Sequence, residues 1–277
     1  MNNVPGDFRQ STLPPPPEPL RVPVVDSHTH LDMQDISVAE ALRIAAAVGV
    51  TRLIQVGTDV PSSRWSAELA DQHEPIWATV ALHPNAAPRL SDLDDALAEI
   101  DRLAALPQVR GVGETGLDYF RTGDDGVATQ QESFRQHIEI AKRHGKALVI
   151  HDREAHADVL RILIEAGPPD RVVFHCFSGD AEMAKTCVEQ GYAISFAGTI
   201  TFRNAQQLRD ALAAVPLEAL LVETDAPFLT PVPHRGRPNA PYLLPYTVRA
   251  MAEVKGIDED TLAAALVANS ERVFNPW

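Results

Sequence analysis

The chain has 277 residues, of which 45% are hydrophobic and 22% are charged, a composition typical of a soluble globular protein. Its formal net charge of −14 argues against a surface that wraps long nucleic acid, although bound divalent cations can reverse the sign at one small site. The 2 cysteines are too few for a disulfide framework, no apolar run is long enough to span a membrane, and the N-terminus carries no signal-like segment. We therefore expect a cytoplasmic protein.

The first 21 residues form a polar, proline-rich segment in which residues 14–17 are all proline. Such a run favours extended polyproline structure. We expect residues 1–21 to be an extension that lies on the surface or is disordered, and residues 22–277 to form one domain. A docking segment for a proline-binding module is the alternative for the extension.

From residue 22 onward, short β-branched or apolar segments alternate with longer amphipathic ones. The predicted strands cover residues 22–28, 52–57, 76–82, 109–114, 147–151, 171–175, 192–196 and 220–223. The predicted helices cover residues 38–48, 62–72, 91–106, 129–144, 156–166, 181–190, 204–214, 245–254 and 258–268. This alternation predicts an α/β fold with a parallel sheet, and its length suits a (β/α)8 TIM barrel with an extra C-terminal helix. A doubly wound open sheet is the alternative, but no Gly-x-Gly-x-x-Gly follows the first strand.

Five of the predicted strands end in a histidine or a carboxylate. In a closed parallel barrel these ends face one mouth, where barrel enzymes carry out their chemistry. Imidazole nitrogens and carboxylate oxygens bind Zn, Mn, Fe and related cations. The pattern predicts a metal site, and the metal site predicts hydrolysis by activated water. The residues are His28, His30, Glu114, His151, His175 and Asp225.

Each of these residues, taken alone, also has a purely structural interpretation. His28 and His30 share one strand face but can simply bond to backbone. Glu114, among glycines, can bridge two cations or cap a helix. A histidine such as His151, after three apolar residues, is a plausible core residue. Asp225 can ligate a metal, orient or deprotonate water, or cap a helix.

Three further residues are candidates for substrate contact. His83 follows the third strand and faces the same mouth. Arg153 and Arg235 are candidate phosphate contacts, because guanidinium matches two phosphate oxygens. A surface role is the alternative for each. The histidines in helical segments, His73, His137, His144 and His156, are expected to be solvated or partly packed.

As a set, these motifs resemble the TatD family of metal-dependent hydrolases, among the amidohydrolase-like barrels. The resemblance extends from about residue 24 to residue 274. It rests on the motifs Asp26-Ser27-His28-Thr29-His30-Leu31-Asp32, Gly113-Glu114-Thr115-Gly116-Leu117-Asp118, His151-Asp152-Arg153, His175-Cys176-Phe177-Ser178-Gly179, Glu223-Thr224-Asp225-Ala226-Pro227 and Asn269-Ser270-Glu271-Arg272-Val273-Phe274. One departure is Asn239-Ala240-Pro241, where the family usually has an acidic residue in the middle position.

The resemblance implies a (β/α)8 barrel, metal ligation by the six strand-end residues above, and phosphodiester hydrolysis by a cytoplasmic deoxyribonuclease. On this hypothesis two divalent cations (Mg, Mn or Zn) are held, one by His28, His30 and Asp225 and the other by His151 and His175. Glu114 bridges them, and Glu114 and Asp225 are the catalytic residues. The acidic net charge favours an exonuclease acting on short, single-stranded or frayed DNA ends. We expect a monomer.

Two rival hypotheses remain open at this point. The same barrel can hydrolyse an amide, ester or lactone of a small metabolite, often with a carboxylated lysine bridging its metals from strand four. Here that strand has Glu114, and the nearest lysine, Lys146, begins strand five. The second rival is a non-catalytic metal-binding or scaffold protein, although structural metal sites are usually closed rather than at an open mouth.

Overall fold

The computed structural model describes residues 13–274, and its eight parallel strands form one sheet in chain order. The strands are β1 (Val24–Thr29), β2 (Val50–Val56), β3 (Ile76–Val80), β4 (Val109–Asp118), β5 (Ala147–Arg153), β6 (Val172–Phe174), β7 (Ala193–Phe196) and β8 (Leu220–Val222). The helices are α1 (Val38–Ala47), α2 (Val60–Gln72), α3 (Leu93–Ala104), α4 (Asp124–His144), α5 (His156–Ala166), α6 (Ala181–Glu189), α7 (Gln206–Ala214), α8 (Leu244–Lys255) and α9 (Glu259–Phe274). The predicted TIM barrel with an extra C-terminal helix is confirmed.

Burial follows the alternation of side chains along the strands. Ile54, Trp77, Val149 and Leu221 belong to a buried cluster formed by one face of the sheet. The residues between them pack outward against the helices, which gives a second and larger core. Phe274, at the end of α9, packs in the first cluster. The last helix therefore extends to the end of the described chain. No helix within residues 13–274 is long and apolar enough to cross a membrane.

The barrel closes at a seam between β8 and β1. Thr29 and Ala226 form an isolated parallel bridge there. The two carboxylate oxygens of Asp26 accept hydrogen bonds from the amide (2.9 Å) and the hydroxyl (2.6 Å) of Thr224. Burial raises the pKa of Asp26 to about 7, even though the bonds from Thr224 favour its charged form. A buried side-chain contact thus supports the seam beside the strand ends.

Several element boundaries differ from the predicted ones. β4 continues to Asp118, because its pairing with β5 extends to the partners Asp118 and Arg153. Glu114 therefore lies within the strand and not at its end. α4 begins at Asp124, five residues before the predicted start at residue 129, and acidic side chains in its first turn complement the helix dipole. His175 lies one residue past the end of β6.

Residues 13–20 of the proline-rich segment lie against the surface of the barrel. Leu20 is buried, and its amide donates to the Val48 carbonyl at 3.0 Å. The Tyr242 hydroxyl donates to the Pro14 carbonyl at 2.6 Å, and Arg249 donates to the Glu18 carbonyl at 2.8 Å. The prediction for residues 1–12 lies outside the described part of the chain.

Candidate metal centre

The structure brings the six predicted ligands together at the C-terminal mouth of the barrel, with Glu114 between the others. Its Oε2 lies 3.6 Å from Nε2 of His28 and 3.8 Å from Nε2 of His30. Its Oε1 lies 2.6 Å from Nδ1 of His151 and 2.9 Å from Nε2 of His175. Each oxygen of this one carboxylate therefore faces a different pair of imidazoles.

The first group of ligand atoms comes from β1 and the residues after β8. Nε2 of His28 lies 3.2 Å from Nε2 of His30, and Oδ1 of Asp225 lies 3.9 Å and 3.5 Å from these two nitrogens. Asp225 is held in the left-handed region at φ 52°, and its amide donates to the His28 carbonyl at 2.9 Å. The ligand atoms of His28, His30 and Asp225 lie within 4.8 Å of one another, a donor set of two nitrogens and one oxygen that fits a Zn, Mn or Fe cation.

The second group combines Oε1 of Glu114 with His151 and His175. His83, predicted as a substrate contact, also belongs here, because its Nε2 lies 3.4 Å from the same oxygen. His83, Glu114 and His151 present ligand atoms within 4.8 Å of one another. His83 is therefore close enough to be a ligand as well as a substrate contact. Nε2 of His151 lies 3.3 Å from Oδ2 of Asp118, at the end of β4.

Hydrogen bonds behind the centre orient two of the imidazoles. Nδ1 of His175 donates to Oε1 of the fully buried Glu223 at 3.2 Å, which leaves Nε2 directed at Glu114. Nδ1 of His30 donates to the Val56 carbonyl at 3.3 Å. Such bonds fix the tautomer and ring orientation of metal-binding histidines. Sequence reasoning assigned Glu223 no such role, although the expected two-residue strand period, which would put Glu223 and Asp225 on one side, was an available signal.

The electrostatics of Glu114 and His28 suit cation binding. Burial alone would raise the pKa of Glu114, but the imidazoles of His83, His175 and His151 together outweigh burial and hold that pKa well below its usual value. Burial lowers the pKa of His28 to about 3, with a further contribution from His175, whose ring stacks on it at a centroid distance of 3.9 Å. Glu114 is therefore ionised and His28 neutral, the forms in which these side chains bind metals.

The two predicted phosphate-binding arginines each lie on an aromatic ring. The guanidinium carbon of Arg153 is 3.9 Å from the centroid of Phe120, and that of Arg235 is 4.2 Å from the centroid of Phe202. Both contacts have cation–π geometry. Their predicted phosphate contacts remain predictions.

The prediction that His137 is solvated or partly packed is wrong, because this residue is fully buried on the inner face of α4. Its Nε2 accepts a hydrogen bond from the Leu82 amide at 3.1 Å, and its Nδ1 donates to the Thr115 hydroxyl at 2.9 Å. Burial lowers the pKa of His137 to about 4, so the ring stays neutral. The helical period of α4 does not show that Leu82, after β3, and Thr115, in β4, offer partners at this position.

A parallel eight-stranded barrel with imidazoles and carboxylates converging at its C-terminal mouth defines the class of barrel metallohydrolases. A family model described as TatD related DNase matches residues 25–275 of this chain. The chain therefore belongs to the TatD family of metal-dependent hydrolases.

Curated relatives and a solved structure agree with this membership. The chain is 48% identical over 259 residues to the Mycobacterium tuberculosis protein described as uncharacterized metal-dependent hydrolase TatD, covering 91% of this chain and 97% of the relative. It is 41% identical over 258 residues to the Escherichia coli uncharacterized metal-dependent hydrolase YcfH, covering 91% and 96%. The crystal structure of the Escherichia coli TatD homologue YjjV superposes with a TM-score of 0.85 at 32% identity, covering 91% of this chain and 98% of YjjV.

Proposed function

We propose that the protein hydrolyses phosphodiester bonds of DNA with two divalent cations, Mg, Mn or Zn. The observation that carries this proposal is the position of the Glu114 carboxylate, whose two oxygens face two separate pairs of imidazoles. When bound, such a pair of cations supplies a water that ionises near neutral pH and positive charge for the attacking and leaving oxygens.

The chain's own residues divide the remaining work. His28, His30 and Asp225 would hold one cation, because their ligand atoms lie within 4.8 Å of one another. His151 and His175 would hold the other, with Glu114 shared between the two cations, because Oε1 of Glu114 lies 2.6 Å from Nδ1 of His151 and 2.9 Å from Nε2 of His175. The side chain of Asp225 is 14% exposed, compared with 6% for Glu114, so Asp225 is better placed to meet solvent at the mouth. We assign Asp225 the role of orienting the attacking water or accepting its proton.

The proposed substrate is a short, single-stranded or frayed DNA end, cleaved exonucleolytically. With a net charge of −14, the protein as a whole repels a long polyanion, and attraction must come from a small region. The bound cations would supply it, together with Arg153 and Arg235 at the mouth. We propose that the protein acts in the cytoplasm as a monomer.

Glu114→Gln and Asp225→Asn test this proposal with a 3′-labelled oligonucleotide and added Mg²⁺ or Mn²⁺. We expect each to lower kcat by about 100-fold or more, as expected when a strong transition-state contact is lost. Elemental analysis should find roughly two divalent ions per wild-type chain and fewer in Glu114→Gln. Glu182→Gln is the matched control, because Glu182 is an exposed carboxylate on α6. Full DNA hydrolysis by either site variant would contradict the assignment.

The rival substrate, an amide, ester or lactone of a small metabolite, calls for a parallel assay. Nζ of Lys146 donates to the carbonyls of Leu106 (3.1 Å) and Val109 (2.6 Å), where β4 begins, so this lysine lies at the opposite end of the barrel from the centre. The bridging position is filled by Glu114, which counts against the rival. Turnover of an ester or lactone panel without oligonucleotide cleavage would replace the proposed substrate.

A further inference from the structure

Two exposed phenylalanines lie on opposite sides of the mouth. Phe120 follows β4 and is 57% exposed, and Phe228 follows β8 and is 36% exposed. Because the eight strands follow one another in chain order, β4 and β8 lie across the barrel from each other. The metal centre lies between them, since Glu114 belongs to β4 and Asp225 follows β8.

Phe120 lies in a short loop whose two neighbouring residues are fixed. The Tyr119 hydroxyl donates to Oδ2 of Asp158 at 2.7 Å, and the Arg121 amide donates to Oδ1 of Asp118 at 2.9 Å. Oδ2 of the same Asp118 approaches the ring of a candidate ligand, as described above. The exposed ring is therefore held close to the second group of ligands.

The guanidinium group of Arg153 covers one face of the Phe120 ring at 3.9 Å. Arg153 forms no ion pair with an acid in residues 13–274, so its charge is available to an anion. Arg153 is paired across the sheet with Asp118, whose Oδ2 lies 3.3 Å from Nε2 of His151, so it lies beside the second group of ligands. A positive charge behind an exposed aromatic ring suits a ligand that is both flat and anionic.

Phe228 is fixed in a similar way beside the first group of ligands. Its amide donates to the Asp225 carbonyl at 2.8 Å, and its own carbonyl accepts from Nδ2 of Asn239 at 2.6 Å. Its ring lies edge-to-face with His30 at a centroid distance of 6.3 Å. Single exposed apolar residues are common, but two exposed aromatic residues on opposite sides of a polar centre are a more specific arrangement.

We propose that Phe120, backed by Arg153, and Phe228 are stacking platforms for the two unpaired bases that flank the scissile phosphate. This inference rests on the proposed function and deepens it, because it assigns the selection of unpaired strands to these residues. A phosphate held at the centre carries one nucleoside towards each side of the mouth. Every base presents a flat face, so stacking tolerates any sequence, whereas a base within a duplex is already stacked and paired.

The test compares single strands that carry an abasic residue on the 5′ or the 3′ side of the cleaved bond. We expect Phe120→Ala and Phe228→Ala each to raise KM by about tenfold on a strand with all its bases, the size typical of losing one base–aromatic stack. The rise in KM of each variant should vanish on the strand whose abasic residue replaces the base that stacks on the mutated phenylalanine. One variant should therefore be insensitive to its mutation with the 5′ abasic strand and the other with the 3′ abasic strand. Phe120→Trp should keep the wild-type KM.

Ile164→Ala is the control, since Ile164 is a 69% exposed apolar residue on α5 and lies outside the mouth. Variants that lose the same activity on base-bearing and abasic strands would overturn the inference, as would variants that keep the wild-type KM on every strand. In both cases DNA cleavage by the wild-type protein would leave the proposed function standing. A wild-type protein that cleaves no strand of any kind would instead overturn the proposed function and this inference with it.

Discussion

Glu223 shows how a residue that no substrate reaches can determine what the centre binds. It is fully buried and accepts both the His175 Nδ1 hydrogen bond (3.2 Å) and the Cys176 amide hydrogen bond (2.7 Å). The negative charge of Glu223 favours a strongly donating Nδ1–H and a more basic Nε2 on His175. This is the arrangement that strengthens an imidazole as a metal ligand.

Replacing Glu223 by glutamine removes this charge while keeping an acceptor of similar size. We expect Glu223→Gln to weaken binding of the second cation by roughly 10- to 100-fold and to leave the first cation unaffected. Calorimetric titration of the metal-depleted protein with Mn²⁺ would measure both affinities. Glu182→Gln provides the matched control, and equal affinities in wild type and Glu223→Gln would show that the hydrogen bond does not tune the site.

At the residue scale, the sequence identified the six predicted ligands that the structure brings together at the mouth, whereas His83, predicted as a substrate contact, also lies within reach of a cation there. Most are found because histidines and acids at the ends of apolar strands are unusual and the barrel brings those ends together, whereas Glu114 lies within β4 and was found from the glycines around it. Glu223 and Asp118 were not given roles, because their parts depend on which neighbour they meet across the barrel. The same limit applies to Arg153, since no local pattern shows that Phe120 lies beneath it.

Among the elements, α4 is joined to the sheet by the buried ring of His137. Because the pKa of His137 falls from its ordinary value of 6.5 to about 4 on folding, the unfolded chain takes up a proton at a pH where the folded chain does not. Its contribution to stability is complete above the unfolded pKa and is lost as the pH falls from about 6.5 towards 4. The slope approaches about 1.4 kcal/mol per pH unit.

Urea unfolding of wild type and His137→Gln at several pH values between 7.5 and 5 measures this effect. Glutamine keeps an acceptor for the Leu82 amide and a donor for Thr115, but it does not titrate. We expect the wild type to be the more stable at pH 7.5 and its advantage to shrink as the pH falls. All other groups titrate alike in both proteins, so a pH-independent difference would contradict the prediction.

The order and type of the elements follow from the sequence because each strand is a short apolar run and each helix an amphipathic one. Boundaries follow less well where the decisive interaction is not local. β4 is longer than predicted because β5 continues to pair with it. α4 begins earlier than predicted, in a polar turn that has no apolar periodicity. α9 reaches Phe274 because its last turn packs on the buried cluster that contains Trp77.

For the whole molecule, the net charge of −14 makes the salt dependence of the proposed DNA cleavage a diagnostic measurement. Raising the salt from about 0.01 to 0.15 M shortens the Debye length from about 30 to 8 Å and screens the repulsion between chain and substrate. At saturating divalent metal we expect the KM for a long single strand to fall with added salt, and the KM for a dinucleotide to change less. A steep rise in KM would instead indicate many contacts from Lys and Arg to phosphates.

The seam between β8 and β1 has a consequence for how the protein tolerates change. β1, the first strand of the barrel, carries His28 and leads into His30, and β8, the last strand, leads into Asp225. The distances within this ligand group therefore depend on how β8 and β1 are held together. The hydrogen bonds from Thr224 to the Asp26 carboxylate connect these two strands beside the ligands. We expect a substitution at Asp26 or Thr224 to lower the affinity for a metal ion before it measurably lowers the stability of the barrel. The contact that closes the barrel therefore also sets the geometry of this ligand group.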